Sequence, residues 1–95
     1  MDFDELYGII CERRDNPTSG SYTARLIADG EDEILKKVGE EAIEVVLAGT
    51  SQGDQRLIEE TADLFYHLLV LLAYRHLSPD AIRAELAHRH QPKAS

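Results

Sequence analysis

Only one cysteine, Cys11, occurs in the 95 residues, so no internal disulfide can form, and a reducing compartment such as the cytoplasm fits best. Basic residues are scarce too: 10 lysines and arginines stand against 18 acids, a formal net charge of −8. That balance argues against nucleic acid as a partner, because a phosphate backbone needs a basic face, and equally against an anionic membrane surface. No long apolar run exists. The most apolar stretch, residues 64–74, is about half the length of a membrane-spanning helix and contains His67. The acidic start, Met1-Asp2-Phe3-Asp4-Glu5, lacks the apolar core of a signal peptide. Alternating β-type patterning, internal repeats and low-complexity segments are missing as well.

What is present suits one domain, residues 1–95, with no room for a second. A chain of this length buries only about 60–65% of the surface its unfolded form exposes, so its core is marginal. With no disulfide to help, self-association and a metal remain as stabilisers. An acidic protein can still handle phosphates where divalent cations bridge carboxylate to phosphate.

Three prolines, Pro17, Pro79 and Pro92, divide the chain. Phe3, Leu6, Tyr7, Ile9 and Ile10 recur at helical spacing over residues 3–14, and the breaker-rich residues 15–21 form a loop. Helical propensity resumes near Thr23 and runs to Asp29-Gly30. A longer helix is expected over residues 32–48, ended by Gly49-Thr50-Ser51-Gln52-Gly53. Asp54 is placed to cap the next helix, which reaches toward His76. Ser78-Pro79-Asp80 then starts a helix over 79–88, with a capping serine, a proline at the first position and an acid beside the dipole. The expectation is an all-α domain of four main helices. In the helix over 54–76, Ile58, Ala62, Leu64, Phe65, Leu68, Leu69, Leu71 and Leu72 cover most of the circumference. It should therefore be central and touch a partner subunit in a dimer or larger assembly.

The polar residues on these two long helices carry the chemistry. Glu40, Glu41 and Glu44 fall within an arc of about 100° on an otherwise largely apolar helix. Glu60 and Asp63, one turn apart, and His67 one turn later form a polar stripe through the next. Like charges at these spacings destabilise a helix, and a buried carboxylate needs a partner or takes up a proton. A hard divalent cation relieves both problems, and Mg²⁺ prefers oxygen ligands. The bland alternative is a solvated acidic face, which does not account for Glu60 and Asp63 interrupting an apolar helix. Glu59, about 100° from Glu60, is expected to face solvent.

These residues resemble a known family. Lys37-Val38-Gly39-Glu40-Glu41-Ala42-Ile43-Glu44 with Glu60-Thr61-Ala62-Asp63-Leu64 is similar to the E-E-x-x-E and E-x-x-D signature of all-α, MazG-like NTP pyrophosphohydrolases. Ser21-Tyr22-Thr23-Ala24-Arg25-Leu26 and the run Asp63 to Leu72 narrow the resemblance to the phosphoribosyl-ATP pyrophosphohydrolases, over nearly the whole chain. That resemblance implies cleavage of phosphoribosyl-ATP to phosphoribosyl-AMP and pyrophosphate, the second step of histidine biosynthesis. It also implies a MazG-like helical homodimer and Mg²⁺ as cofactor. Glu40, Glu41, Glu44, Glu60 and Asp63 carry over as metal ligands or their supporters, with Glu41 or Glu44 accepting the proton of the hydrolytic water. Some relatives fuse this domain to a cyclohydrolase, and this chain is expected to perform one reaction. One departure stands out: Glu31-Asp32-Glu33 precedes the signature where relatives are often basic.

Several residues keep two readings. Lys37 either neutralises a phosphate oxygen or pairs with Glu41 along its own helix. Ser21, Tyr22 and Thr23, at a loop-to-helix junction, either meet phosphate or ribose or simply cap the helix. Arg13 and Arg25 either contact phosphate or are solvated. His67 suits a hydrogen-bonded core position, since Mg²⁺ disfavours imidazole, and Cys11 reads as inert core. Two rival functions are a house-cleaning enzyme acting on free or damaged nucleotides and a non-catalytic helical dimerisation module.

Overall fold

The computed structural model describes residues 1–92. Among them five α-helices and no strand occur: α1 (Phe3–Asp15), α2 (Tyr22–Asp29), α3 (Glu31–Ser51), α4 (Asp54–Tyr74) and α5 (Pro79–Arg89). The all-α expectation holds. The count rises from four main helices to five because the stretch after Thr18-Ser19-Gly20 closes into a helix of its own, α2, separated from α3 by Gly30 alone. That glycine sits at φ 104°, a conformation that turns the chain sharply between the two helices.

Local chemistry sets most boundaries. Asp2 caps α1 by accepting from the Glu5 N–H at 2.8 Å, and Ser21 caps α2 by accepting from the Ala24 N–H at 3.1 Å. Glu31, Asp32 and Glu33 occupy the first turn of α3, where the helix dipole favours acids. Their departure from a basic segment therefore has a structural use. The expected stop at Gly49 is overrun. α3 continues to Ser51, where the Thr50 and Ser51 hydroxyls donate to the Leu47 carbonyl at 3.0 and 3.3 Å and replace lost solvation of that end. Asp54 does not cap α4: Gly53 holds that position at φ 85° and Asp54 is the first helical residue. α4 ends at Tyr74, short of His76, because His76 turns left-handed (φ 56°) and the Leu77 N–H returns to the Leu72 carbonyl at 2.9 Å, a Schellman closure. Ser78 stands at the start of α5 with Pro79 behind it, but makes no side-chain capping bond.

α3 and α4 form an antiparallel hairpin, with Gly49 of one packed against Leu57 of the other. The core lies at the end of this hairpin remote from its turn. There Ile10 of α1, Leu26 of α2, Ile34 of α3 and Leu69, Val70 and Ala73 of α4 meet. Arg14 Nη1 donates to the Ala73 carbonyl at 2.7 Å and the Tyr7 hydroxyl donates to the Leu77 carbonyl, so α1 also meets carbonyls in the last turn of α4 and just beyond it. α5 buries no residue and is tied to α1 by Arg83 and Asp4, 2.7 Å apart.

The radius of gyration is 15.4 Å, against about 12.4 Å for a compact domain of this length. Large apolar side chains stay exposed toward the hairpin's turn, Ile43, Val46 and Ile58 each by more than 60%. A further groove of about 380 Å³ runs between α1, α4 and α5, lined by Phe3, Phe65, Leu68, Leu72, Ile82 and Leu86 among others. No helix among the described residues is long and apolar enough to cross a membrane.

Candidate active site

The antiparallel register of α3 and α4 decides which acids meet. Glu41 on α3 and Glu60 and Asp63 on α4 each bring a carboxylate oxygen to within 4.8 Å of the other two. Glu60 is buried, Glu41 half-buried and Asp63 exposed, so the group opens to solvent on one side. Burial, then the charge of Asp63 and that of Glu60, hold the Glu41 carboxyl above the usual range, while His67 pulls it back. Three oxygen donors in mutual conflict, one of them protonated more readily than an ordinary glutamate, form a donor set that a hard divalent cation satisfies.

The other two acids of the signature stand at the border of this group. Glu40 is exposed and turned toward two lysines, Lys37 at 3.6 Å and Lys36 at 4.0 Å. The intrahelical partner of Lys37 is thus Glu40, one residue nearer than the expected Glu41. Glu44 lies one turn beyond Glu41, half-buried, and its charge reaches Arg56. Arg56, which the sequence analysis passes over, donates to Glu60 at 2.5 Å and to Glu59 at 2.6 Å. Its spacing to Glu60, four residues along one helix, is legible in the sequence. Glu59 is exposed as expected and is held below the usual carboxylate range, first by its Arg56 bond and then by Gln55.

Ser21, Tyr22 and Thr23 all make internal bonds. Ser21 caps α2, the Tyr22 hydroxyl meets His67 Nε2 at 3.1 Å, and Thr23 Oγ1 bonds the Tyr66 hydroxyl. His67 Nδ1 lies 2.7 Å from the Asp63 backbone carbonyl. A carbonyl can only accept, so Nδ1 carries a hydrogen and donates it there, while Nε2 shares the second bond with the Tyr22 hydroxyl. The buried imidazole therefore ties the first turn of α2 to the turn of α4 that presents Asp63. Burial raises the Tyr66 hydroxyl above its ordinary range, opposed by the Thr23 bond. Arg25 is exposed and stacks its guanidinium 5.4 Å from the Tyr22 ring, at the edge of the same surface.

Arg13 is half-buried in the last turn of α1. The neighbouring Arg14 contact with Ala73 sets that turn ten residues along α4 from Asp63, roughly 15 Å. It is remote from the carboxylates. Cys11 is a free thiol packed beside the core.

The profile of the phosphoribosyl-ATP pyrophosphohydrolases matches residues 3–90. A phosphoribosyl-ATP pyrophosphatase of Pelotomaculum thermopropionicum is 53% identical over 90 residues, covering 95% of this chain and 92% of that protein. One from Geotalea daltonii is 55% identical over 84 residues, covering 88% and 79%. One from Metallosphaera sedula is 52% identical over 86 residues, covering 90% and 92%.

Proposed function

The chain belongs to the phosphoribosyl-ATP pyrophosphohydrolase family, and from that premise we infer that it hydrolyses phosphoribosyl-ATP to phosphoribosyl-AMP and pyrophosphate, the second step of histidine biosynthesis. The observation that carries the chemistry is the meeting of Glu41, Glu60 and Asp63 on one open face of the α3–α4 hairpin.

Mg²⁺ is the proposed cofactor, and when bound it neutralises the triphosphate and makes a water more acidic. Glu41, Glu60 and Asp63 would hold it, flanked by Glu40 and Glu44. Glu44, outside the group of three yet one turn from Glu41, is the carboxylate free to accept the water's proton. Lys37 swings between Glu40 and a phosphate oxygen. Ser21, Tyr22, Thr23 and Arg25 form the edge against which ribose and phosphate lie, with the Tyr22–His67 bond fixing that edge relative to Asp63. Arg13, in the turn of α1 that meets the Ala73 end of α4, suits the far end of a long nucleotide.

The working unit is proposed to be a homodimer of single-domain chains in the cytoplasm. An elongated shape and exposed Ile43, Val46 and Ile58 support the dimer, since a lone chain leaves this apolar surface in water. The test of substrate is direct: pyrophosphate release from phosphoribosyl-ATP compared with release from deoxynucleoside triphosphates. Turnover of the first alone is expected, and preference for the second would make the protein a nucleotide house-cleaning enzyme.

A further inference from the structure

Arg56 lies in the first turn of α4, where the helix dipole disfavours a cation, and its two ion pairs run along its own helix. Its guanidinium spans two carboxylates that differ in kind: Glu59 is 43% exposed at the side chain and Glu60 only 9%. Glu60 is also one of the three acids that converge with Glu41 and Asp63. The charge of Glu44 reaches Arg56 as well. Arg56 thus neutralises, from a half-exposed position, a buried oxygen that a divalent cation would claim.

We propose that Arg56 is an exchangeable counter-ion. It occupies Glu60 when no divalent cation is bound, yields that carboxylate when one binds, and then turns its guanidinium to the pyrophosphate half of the substrate. The idea rests on the divalent-cation reading above. A cation on Glu60 removes the charge that holds the arginine and adds repulsion beside it. The arginine's planar fork matches phosphate oxygens, and its side chain is 49% exposed and so free to swing.

The test is calorimetric titration of the full chain with Mg²⁺ alone, then with inorganic pyrophosphate at saturating Mg²⁺. Arg56→Gln keeps a good helix former at a half-exposed site and so folds. Removing a competing ion pair of this exposure should tighten Mg²⁺ binding about two- to fivefold. Losing charge-assisted bonds to phosphate should weaken pyrophosphate binding about tenfold or more. Arg56→Lys should bind Mg²⁺ like the wild type yet hold pyrophosphate less well, because it lacks the fork. An Arg56→Gln protein that binds Mg²⁺ no tighter, or pyrophosphate equally well, overturns the proposal. Weaker Mg²⁺ binding would mean that Arg56 only props Glu60 in place. A wild-type protein that binds no Mg²⁺ overturns the cation reading and this one together, whereas wild-type binding unaltered by Arg56→Gln overturns the Arg56 assignment alone.

Discussion

The Tyr22 hydroxyl reaches from the first turn of α2 to Nε2 of His67, 3.1 Å away, while the other nitrogen of that ring donates to the Asp63 carbonyl. The bond joins residues 45 apart in sequence and leaves both nitrogens of the buried imidazole paired. Tyr22→Phe keeps the ring and removes the hydroxyl, leaving Nε2 without its partner. A loss of about 1 kcal/mol is expected, which lowers Tm by about 4–8 °C in a chain of this size. Thermal unfolding of the two proteins side by side checks it.

Arg14 supplies a second long-range tie, donating to the carbonyl of fully buried Ala73 at 2.7 Å. Arg14→Met keeps much of the aliphatic stem but removes the charge-assisted bond and leaves that carbonyl only the His76 N–H at 3.1 Å. Urea unfolding should register a loss of about 1–3 kcal/mol. Asp15→Asn, which breaks only an exposed pairing with the same arginine, should leave the urea midpoint nearly unchanged.

Glu41 gives the stability a pH signature. Its carboxyl is raised in the fold by burial and by Asp63 and Glu60, so between the ordinary glutamate range and its raised value the folded state binds more protons than the unfolded state. Its contribution is therefore present at low pH and lost as pH rises through that window. Without divalent cations, Glu41→Gln should be more stable than the wild type above the window, and the difference should shrink as pH falls. Tm measured across acidic to neutral pH in chelator shows whether it does.

The exposed apolar residues near the hairpin turn predict the assembly. Val46→Lys places a charge where a side chain is now 63% exposed, so it costs an isolated chain little. In a dimer that covers this face it should weaken association by an order of magnitude or more. Light scattering over a concentration series reads the change directly.

Helices were legible in the sequence where their ends carry chemistry, as at Ser21 and at Ser78-Pro79-Asp80. Gly49 misled because a glycine near a helix end is only a local signal, and here hydroxyls from Thr50 and Ser51 with packing against Leu57 carry the helix past it. The acidic stripes were visible as stripes. Which of the five acids converge was not, since that depends on the register of α3 against α4, which the loop at Gln52-Gly53 sets. The internal bonds of Tyr22 to His67 and Thr23 to Tyr66 were equally hidden, because each joins residues more than 40 apart. The Arg56–Glu60 pair was within reach, being a four-residue step on one helix.

The central claim is that Glu41, Glu60 and Asp63 hold the cation on which hydrolysis depends. The most direct test is the rate of pyrophosphate release from phosphoribosyl-ATP across a Mg²⁺ titration, wild type against Asp63→Asn, an exposed position where the change leaves folding intact. Turnover should require Mg²⁺, cease in chelator and fall about a hundredfold or more in the variant. Undiminished turnover in chelator, or an Asp63→Asn protein as fast as the wild type, would contradict it.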